Sequence, residues 1–283
     1  MSPTDLEYVD RGTDRLALRH YPAPSPSAPV AVVLPAMGVA GRFYRPLAES
    51  LGAAGFAVVV ADLRGTGDST PRPSRSSGYG YADLADDVGA VLDSLKTDYA
   101  DRRTVLVGHS LGGQAALMHL ATAPGEVQVD GLALVAAAIP YWRAYPRHGL
   151  VVGGYMQAIG LTATALGVWP GWTFGGRQAR GVIQDWAGSG RTGRFPRIQG
   201  LDTDAAVGTV TTPVLAISID GDIYTPHETL DHTTAKLRRA PVRRERLARI
   251  EAEGRPAHFA WVRAPGPVTA LIADWHATLP PRP

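Results

Sequence analysis

A chain of 283 residues, 45% of them apolar, can bury the core of one large α/β domain with an insertion, or of two domains at most. Its net charge of +2 is too small for a nucleic-acid binder, and the lack of cysteine excludes disulfides, thiolate catalysis and cysteine-held zinc. The start, Met1 to Arg11, has acids and no apolar stretch, so it does not read as a secretory signal. The longest apolar runs, such as Leu132 to Pro140, are too short to span a bilayer, and a cytoplasmic protein without membrane insertion is expected.

Short apolar runs alternate with helical patterns along the chain. Leu16 to His20 reads as a strand, and the proline-rich Tyr21 to Pro29 as a loop. Val30 to Leu34 is a buried strand ended by Pro35. A helix follows from about Phe43 to Ala54, closed by Gly55. Phe56 to Ala61 is the next strand and runs into the glycine-rich loop Asp62 to Ser69. Ala82 to Leu95 is a helix with apolar residues at Leu84, Val88, Val91, Leu92 and Leu95. Asp62, Asp68 and the acids between Asp83 and Asp87 read as turn and helix-surface acids. Thr104 to Val107 is a strand, Leu111 to Thr122 a helix and Gly131 to Ala138 a strand.

The rhythm breaks over 140–200, which holds four of the six tryptophans (Trp142, Trp169, Trp172, Trp186) and no convincing strand. It also holds seven arginines against one acid, Asp185. That charge is either solvated surface or an attraction for an anionic substrate or an acidic carrier. Gly153-Gly154, Gly175-Gly176 and Gly188 to Gly190 read as turns or hinges. Alternation resumes with a strand from Pro213 to Ile219, a helix near His227 to Arg239, a strand around Val242 to Leu247 and a last helix from Pro267 to Thr278. The fold class is therefore α/β: a mostly parallel central sheet flanked by helices. Residues 1–139 and 201–283 would form the core, and 140–200 a helical or irregular cap over one end of the sheet.

The most informative stretch is Thr104-Val-Leu-Val-Gly-His-Ser-Leu-Gly-Gly-Gln-Ala-Ala-Leu. A β-branched strand enters Gly-x-Ser-x-Gly and an Ala/Leu helix leaves it, the setting in which Ser110 is exposed on a tight turn. Glycine at 108 and 112 avoids a collision with neighbouring backbone, and the helix beginning at Leu111 aims its N–H groups where negative charge would develop. A serine hydroxyl needs a base to become a good nucleophile, and in this motif the chain order is serine, acid, histidine. Of the later histidines, His119, His148, His227, His232 and His276 read as helical or cap residues. His258 alone reads as lying in a loop between the last strand and the last helix. Asp220 and Asp222 both follow the strand ending at Ile219 and are the candidate acids.

Gly108-His-Ser-Leu-Gly-Gly113 resembles the nucleophile elbow of the α/β-hydrolase superfamily. Val33 to Val39, Phe43 to Ala48, Asp62 to Ser69 and Pro213 to Pro226 resemble, in order, the superfamily's oxyanion loop, its following helix, the loop after the fourth strand and the acid-bearing segment. The likeness spans roughly 15–139 and 205–279. It is greatest to a bacterial branch of hydrolases related to serine aminopeptidases and monoglyceride lipases. The resemblance implies Ser110 as nucleophile, His258 as base and Asp222 rather than Asp220 as acid. It also implies an oxyanion hole built from the backbone N–H groups of Leu111 and Met37. Two departures are Pro35-Ala36 where His-Gly is common, and Ala257 where glycine usually precedes the histidine.

Trp142, Tyr145, Tyr155, Trp169 and Trp172 are candidate substrate contacts in an apolar acyl pocket, or else they only pack the cap. The expected activity is hydrolysis of an ester, thioester or amide of a small acyl substrate through an acyl-enzyme. The alternatives are acyl transfer, cyclisation or carbon–carbon cleavage on the same site, or a non-catalytic binding module. No metal or cofactor is expected. Zinc-binding histidine spacings are missing, and Gly65-Thr-Gly67 lacks the dinucleotide fingerprint.

Overall fold

The computed structural model describes residues 6–22, 25–99, 101–123 and 129–280. The beginning of the acidic start, residues 1–5, and residues 23–24 of the proline-rich stretch lie outside the described residues. In chain order the strands are β1 (Leu6–Arg11), β2 (Asp14–Tyr21), β3 (Val30–Leu34), β4 (Ala57–Ala61), β5 (Thr104–His109), β6 (Gly131–Val135), β7 (Val168–Trp169), β8 (Gln178–Ala179), β9 (Val214–Ile219) and β10 (Val242–Leu247). The helices are α1 (Arg45–Ala53), α2 (Tyr81–Ser94), α3 (Lys96–Tyr99), α4 (Leu111–Thr122), α5 (Gly149–Leu166), α6 (Arg180–Thr192), α7 (Thr203–Val207), α8 (His227–Thr234), α9 (Ala257–Arg263) and α10 (Gly266–Ala277).

Eight strands form one sheet in the order β1-β2-β4-β3-β5-β6-β9-β10. It is parallel from β4 to β10, while β2 runs antiparallel to β4 and to β1. Residues of β3, β4, β6 and β9 are buried throughout because both faces are covered. Alternate side chains go to opposite sides. Val30, Val32 and Leu106 meet Leu84, Val88 and Leu117 of α2 and α4. Val33, Val107 and Ile217 meet Leu47, Trp261 and Ile272 of α1, α9 and α10. At the β10 edge, Arg243, Arg244 and Arg246 charge a half-exposed strand, which discourages pairing with another chain.

Several elements differ from the sequence expectation. β1 was not foreseen because none of its side chains is fully buried and it has little apolar signal. It is held by a two-residue hairpin at Gly12-Thr13, where Gly12 has φ +76°. α8 stops at Thr234 instead of Arg239, as the N–H groups of Lys236 and Leu237 turn to carbonyls three residues back. His258 is not in a loop: it is the second residue of α9, which starts directly after Pro256. Ala257 opens that helix and is buried, a position where glycine would weaken the helix.

Two acids read as surface residues are buried. Asp62 accepts from Arg19 (2.8 Å), from the backbone of Asp68 (2.9 Å) and from that of Gly41. Asp87 binds Arg64 (2.8 Å) and Arg11 (3.0 Å). Their cationic partners lie far away in sequence, so local pattern could not reveal them.

Between β6 and β9 the chain adds no strand to the large sheet. α5 and α6 pack side by side there, and a Cβ on Gly160 would come within 3.0 Å of the Ala187 side chain. Gly153, Gly154, Gly188 and Gly190 lie inside these helices and are neither turns nor hinges. α5 is also an exception to the expectation that apolar runs are short. It has 18 residues, no charged side chain and the length and composition, though by those measures alone, of a bilayer span. Asp185 of α6 accepts the N–H of Tyr81 (2.8 Å) at the start of α2, tying this segment to the core.

Candidate active site

Ser110 sits between the end of β5 and the start of α4 with φ 51° and ψ −119°, a strained conformation for a residue with a side chain. The turn closes only with glycine on both sides. A Cβ on Gly108 would lie 2.3 Å from Gly113 Cα, and one on Gly112 would lie 2.2 Å from the Leu34 carbonyl oxygen. Ser110 borders a cavity of about 420 Å³, and His258 borders the same cavity.

Behind His258 stands Asp222, its carboxylate fully buried. Nδ1–H of His258 donates to Oδ2 of Asp222 at 2.7 Å. The other carboxylate oxygen accepts the backbone N–H groups of Tyr224 (2.8 Å) and Thr225 (3.0 Å). The Thr225 hydroxyl donates to Oδ2 at 2.7 Å and lies 3.2 Å from His258 Nδ1. Burial on its own would raise the Asp222 carboxyl. The charge of His258 and the hydrogen bonds from His258 and Thr225 outweigh it and hold the group below its ordinary value. Asp220 points elsewhere: it is half exposed and pairs with Arg246 at 2.5 Å. Thr225 was not foreseen. Its signal is the Asp-x-x-Thr spacing, in which an aspartate captures the N–H groups two and three residues on.

Met37 lies in the loop after β3 and borders the cavity. Its neighbours are engaged: the Ala36 N–H donates to the Tyr44 hydroxyl (2.8 Å), and the Val39 N–H donates to the Ala36 carbonyl (3.1 Å). Leu111, the first residue of α4, has an N–H with no acceptor within its own helix. Tyr44 and His109 were also not foreseen. The Tyr44 hydroxyl accepts from Ala36 and donates to His109 Nδ1 at 2.6 Å, so the residue before Ser110 is linked to the loop that carries Met37. The segment between β7 and β8 packs against the same loop. A Cβ on Gly38 would come within 2.1 Å of the Gly175 carbonyl oxygen, and one on Gly175 within 2.7 Å of Met37 Sδ.

Burial holds the His109 imidazole well below its ordinary value of 6.5, and the nearby His258 adds to the effect. His109 is therefore neutral in the folded chain, whereas the unfolded chain takes up a proton as pH falls below 6.5. Stability that is fully present above that value is lost as pH falls toward the depressed folded value, by up to about 1.4 kcal/mol per pH unit. His276, also depressed by burial, contributes with the same sign. Denaturant unfolding between neutral pH and the carboxylate range should show a shallower loss for His109→Gln than for wild type. Identical profiles would contradict a neutral buried His109.

The cavity is lined mainly by apolar and aromatic groups, among them Met156, Phe174, Trp186, Tyr224 and Phe259. Phe174 stacks on Trp186 with centroids 4.9 Å apart. Of the five cap residues expected at the substrate, Tyr145 and Tyr155 are in the lining; Trp142, Trp169 and Trp172 are not. Trp169 is buried in packing and donates to the Phe174 carbonyl (2.8 Å), Trp142 packs under Gly153, and Trp172 is 69% exposed. Aromatic content alone cannot distinguish a side chain facing the cavity from one packed behind it. Among the described residues no arginine or lysine lines the cavity, and no group of three His, Asp or Glu side chains is placed to hold a metal ion.

A RutD protein named as a carbamate hydrolase, from Serratia proteamaculans, is 39% identical over 104 residues, which are 37% of this chain and 36% of that relative. That match thus spans about a third of the relative's length. A similarly named protein from Cronobacter turicensis is 25% identical over 284 residues, covering 95% of this chain and 98% of the relative. Among solved structures, a soluble variant of monoglyceride lipase from Saccharomyces cerevisiae aligns with a TM-score of 0.71 at 14% identity, covering all of this chain and 97% of that one. At that identity the likeness concerns the fold alone. The family model described as serine aminopeptidase, S33, matches residues 25–192, more than half of the sequence. The chain belongs to that family and is an α/β-hydrolase.

Proposed function

We propose that this hydrolase cleaves esters or thioesters of apolar acyl groups through an acyl-enzyme on Ser110. His258, oriented through Nδ1 by Asp222, takes the serine proton on its other ring nitrogen as the hydroxyl attacks the carbonyl carbon. The tetrahedral oxyanion then receives the backbone N–H groups of Leu111 and Met37. Collapse expels the alcohol or thiol, which takes up the proton held by His258. Water, activated by the same imidazole, completes the turnover.

The observation that carries this reading is the 2.7 Å contact between His258 and a buried Asp222, on a ring that shares its cavity with the strained Ser110. The lining supports this substrate class. A cavity of about 420 Å³ walled by Met156, Phe174 and Trp186 without lysine or arginine suits an uncharged acyl chain. It fits poorly with a small polar carbamate, the substrate named for the RutD relatives. Mixing the enzyme with a series of p-nitrophenyl esters should give a burst of p-nitrophenol, with acylated Ser110 trapped and located by mass spectrometry. The specificity constant should rise with chain length from acetyl upward. Acylation elsewhere, or a preference for carbamate over every acyl ester, would refute the proposal.

A further inference from the structure

α5 presents an uncharged face to solvent. Leu150 is 76% exposed, Val151 69% and Leu161 71%; Gly154 and Ala158 fill the space between them on the same side, and Ala165 continues it one turn further. Leu150 and Leu161 stand about 16 Å apart along the helix. Single exposed apolar side chains are ordinary, but a contiguous row on one helix is not. Trp172 is 69% exposed beside Thr173, whose hydroxyl accepts from Tyr155 of α5 at 2.7 Å.

The surroundings are basic. Arg143, Arg147, Arg180 and Arg191 are exposed, and among the described residues none of them pairs with a carboxylate. Arg191 borders the same shallow groove as Leu150, and Arg143 stacks on Trp142, which packs under Gly153. The one acid of the segment, Asp185, is turned toward α2. The face is also continuous with the candidate active site. Val152 and Tyr155 of α5 line the cavity, as does Ile223, which is 73% exposed.

We infer that this face of α5 is a docking surface for an anionic lipid bilayer, with the helix lying in the interface and the cavity opening toward it. α5 itself carries no charge, so binding would come from burying its exposed apolar side chains while the arginines outside the helix meet acidic headgroups. A second copy fits less well, because two α5 faces packed together would oppose their own arginines. An acidic protein would match the arginines but leave the leucine, valine and tryptophan side chains without apolar partners. That the surface delivers substrate rests on the acyl-ester reading; docking itself does not.

The test is sedimentation of the full chain with vesicles of phosphatidylcholine alone or mixed with phosphatidylglycerol, read also by tryptophan emission. Wild type should bind the anionic vesicles more tightly. The preference should fade in about 1 M salt, where the screening length falls to about 3 Å. Leu150→Glu with Leu161→Glu should weaken binding by about tenfold or more. The same variant should turn over a water-soluble ester at the wild-type rate, which shows it folded. Ser110→Ala should bind vesicles like wild type, so loss of the catalytic reading leaves this result intact. No vesicle binding, or equal binding by wild type and the double variant, overturns the inference. So does a dimer, or a complex with an acidic acyl-carrier protein, that the double substitution abolishes while vesicles are ignored.

Discussion

Ser110→Ala should lose up to about a million-fold in kcat toward a p-nitrophenyl ester, and His258→Ala should lose nearly as much. The two effects should not add. Once the hydroxyl is gone the imidazole has no proton to take, so the double variant should be as slow as either single one. This non-additivity is the sharper part of the prediction, since two residues contributing separately would multiply their losses. Whatever rate remains would come from substrate binding and from the N–H groups of Leu111 and Met37, which neither substitution removes. Alanine leaves the strained turn at 110 in place, because both closing glycines are retained. A fluorophosphonate probe should label wild type and neither variant. Strong labelling of Ser110→Ala would show that the nucleophile lies elsewhere.

Asp222→Asn should lower kcat by about ten-thousand-fold, whereas Asp220→Asn should stay close to wild type. The carboxylate of Asp222 accepts Nδ1–H and leaves the opposite nitrogen free to act as base. An asparagine there can present an N–H to Nδ1, which stabilises the wrong tautomer while changing the volume very little. Thr225 and the two backbone N–H groups would still hold the side chain in position, so the variant should fold. Asp220 is engaged with Arg246 on the surface and has no route to the imidazole. Because the folded pKa of Asp222 is depressed, its contribution to stability is present above the ordinary carboxylate value and fades as pH falls through the lower one. If the two asparagine variants exchanged their effects, the assignment of the acid would have to be reversed.

The sheet was legible in sequence because strands buried on both faces are continuous apolar runs, and Val30 to Leu34 and Val214 to Ile219 can hardly be anything else. The serine turn was legible because its glycines are required by backbone contacts that any sequence with this turn must satisfy. α5 was missed as a helix for the opposite reason. Its glycines suggest breaks, yet they are tolerated because close packing on Trp142 and α6 supplies what helix propensity lacks. Asp62, Asp87 and Tyr44 depend on partners brought near by the fold, whereas Thr225 has a local signal in its spacing from Asp222 and only its approach to His258 is set by the fold. No local pattern separates a buried ion pair from a surface acid, or a tyrosine hydroxyl that holds a loop from one that merely packs.

The abutment of Gly38 and Gly175 bears on attempts to alter substrate preference by exchanging segments between relatives. The tip of the helical insertion and the loop after β3 meet with no room for a methyl group, and the Met37 thioether fills what space remains. A transplanted insertion whose tip is one atom bulkier would push the peptide bearing the Met37 N–H out of line. Chimeras should therefore carry both pieces from the same parent. On the proposed oxyanion role of the Met37 N–H, libraries that randomise the insertion while holding 35–41 fixed should be dominated by inactive members, even where the new pocket suits the ligand.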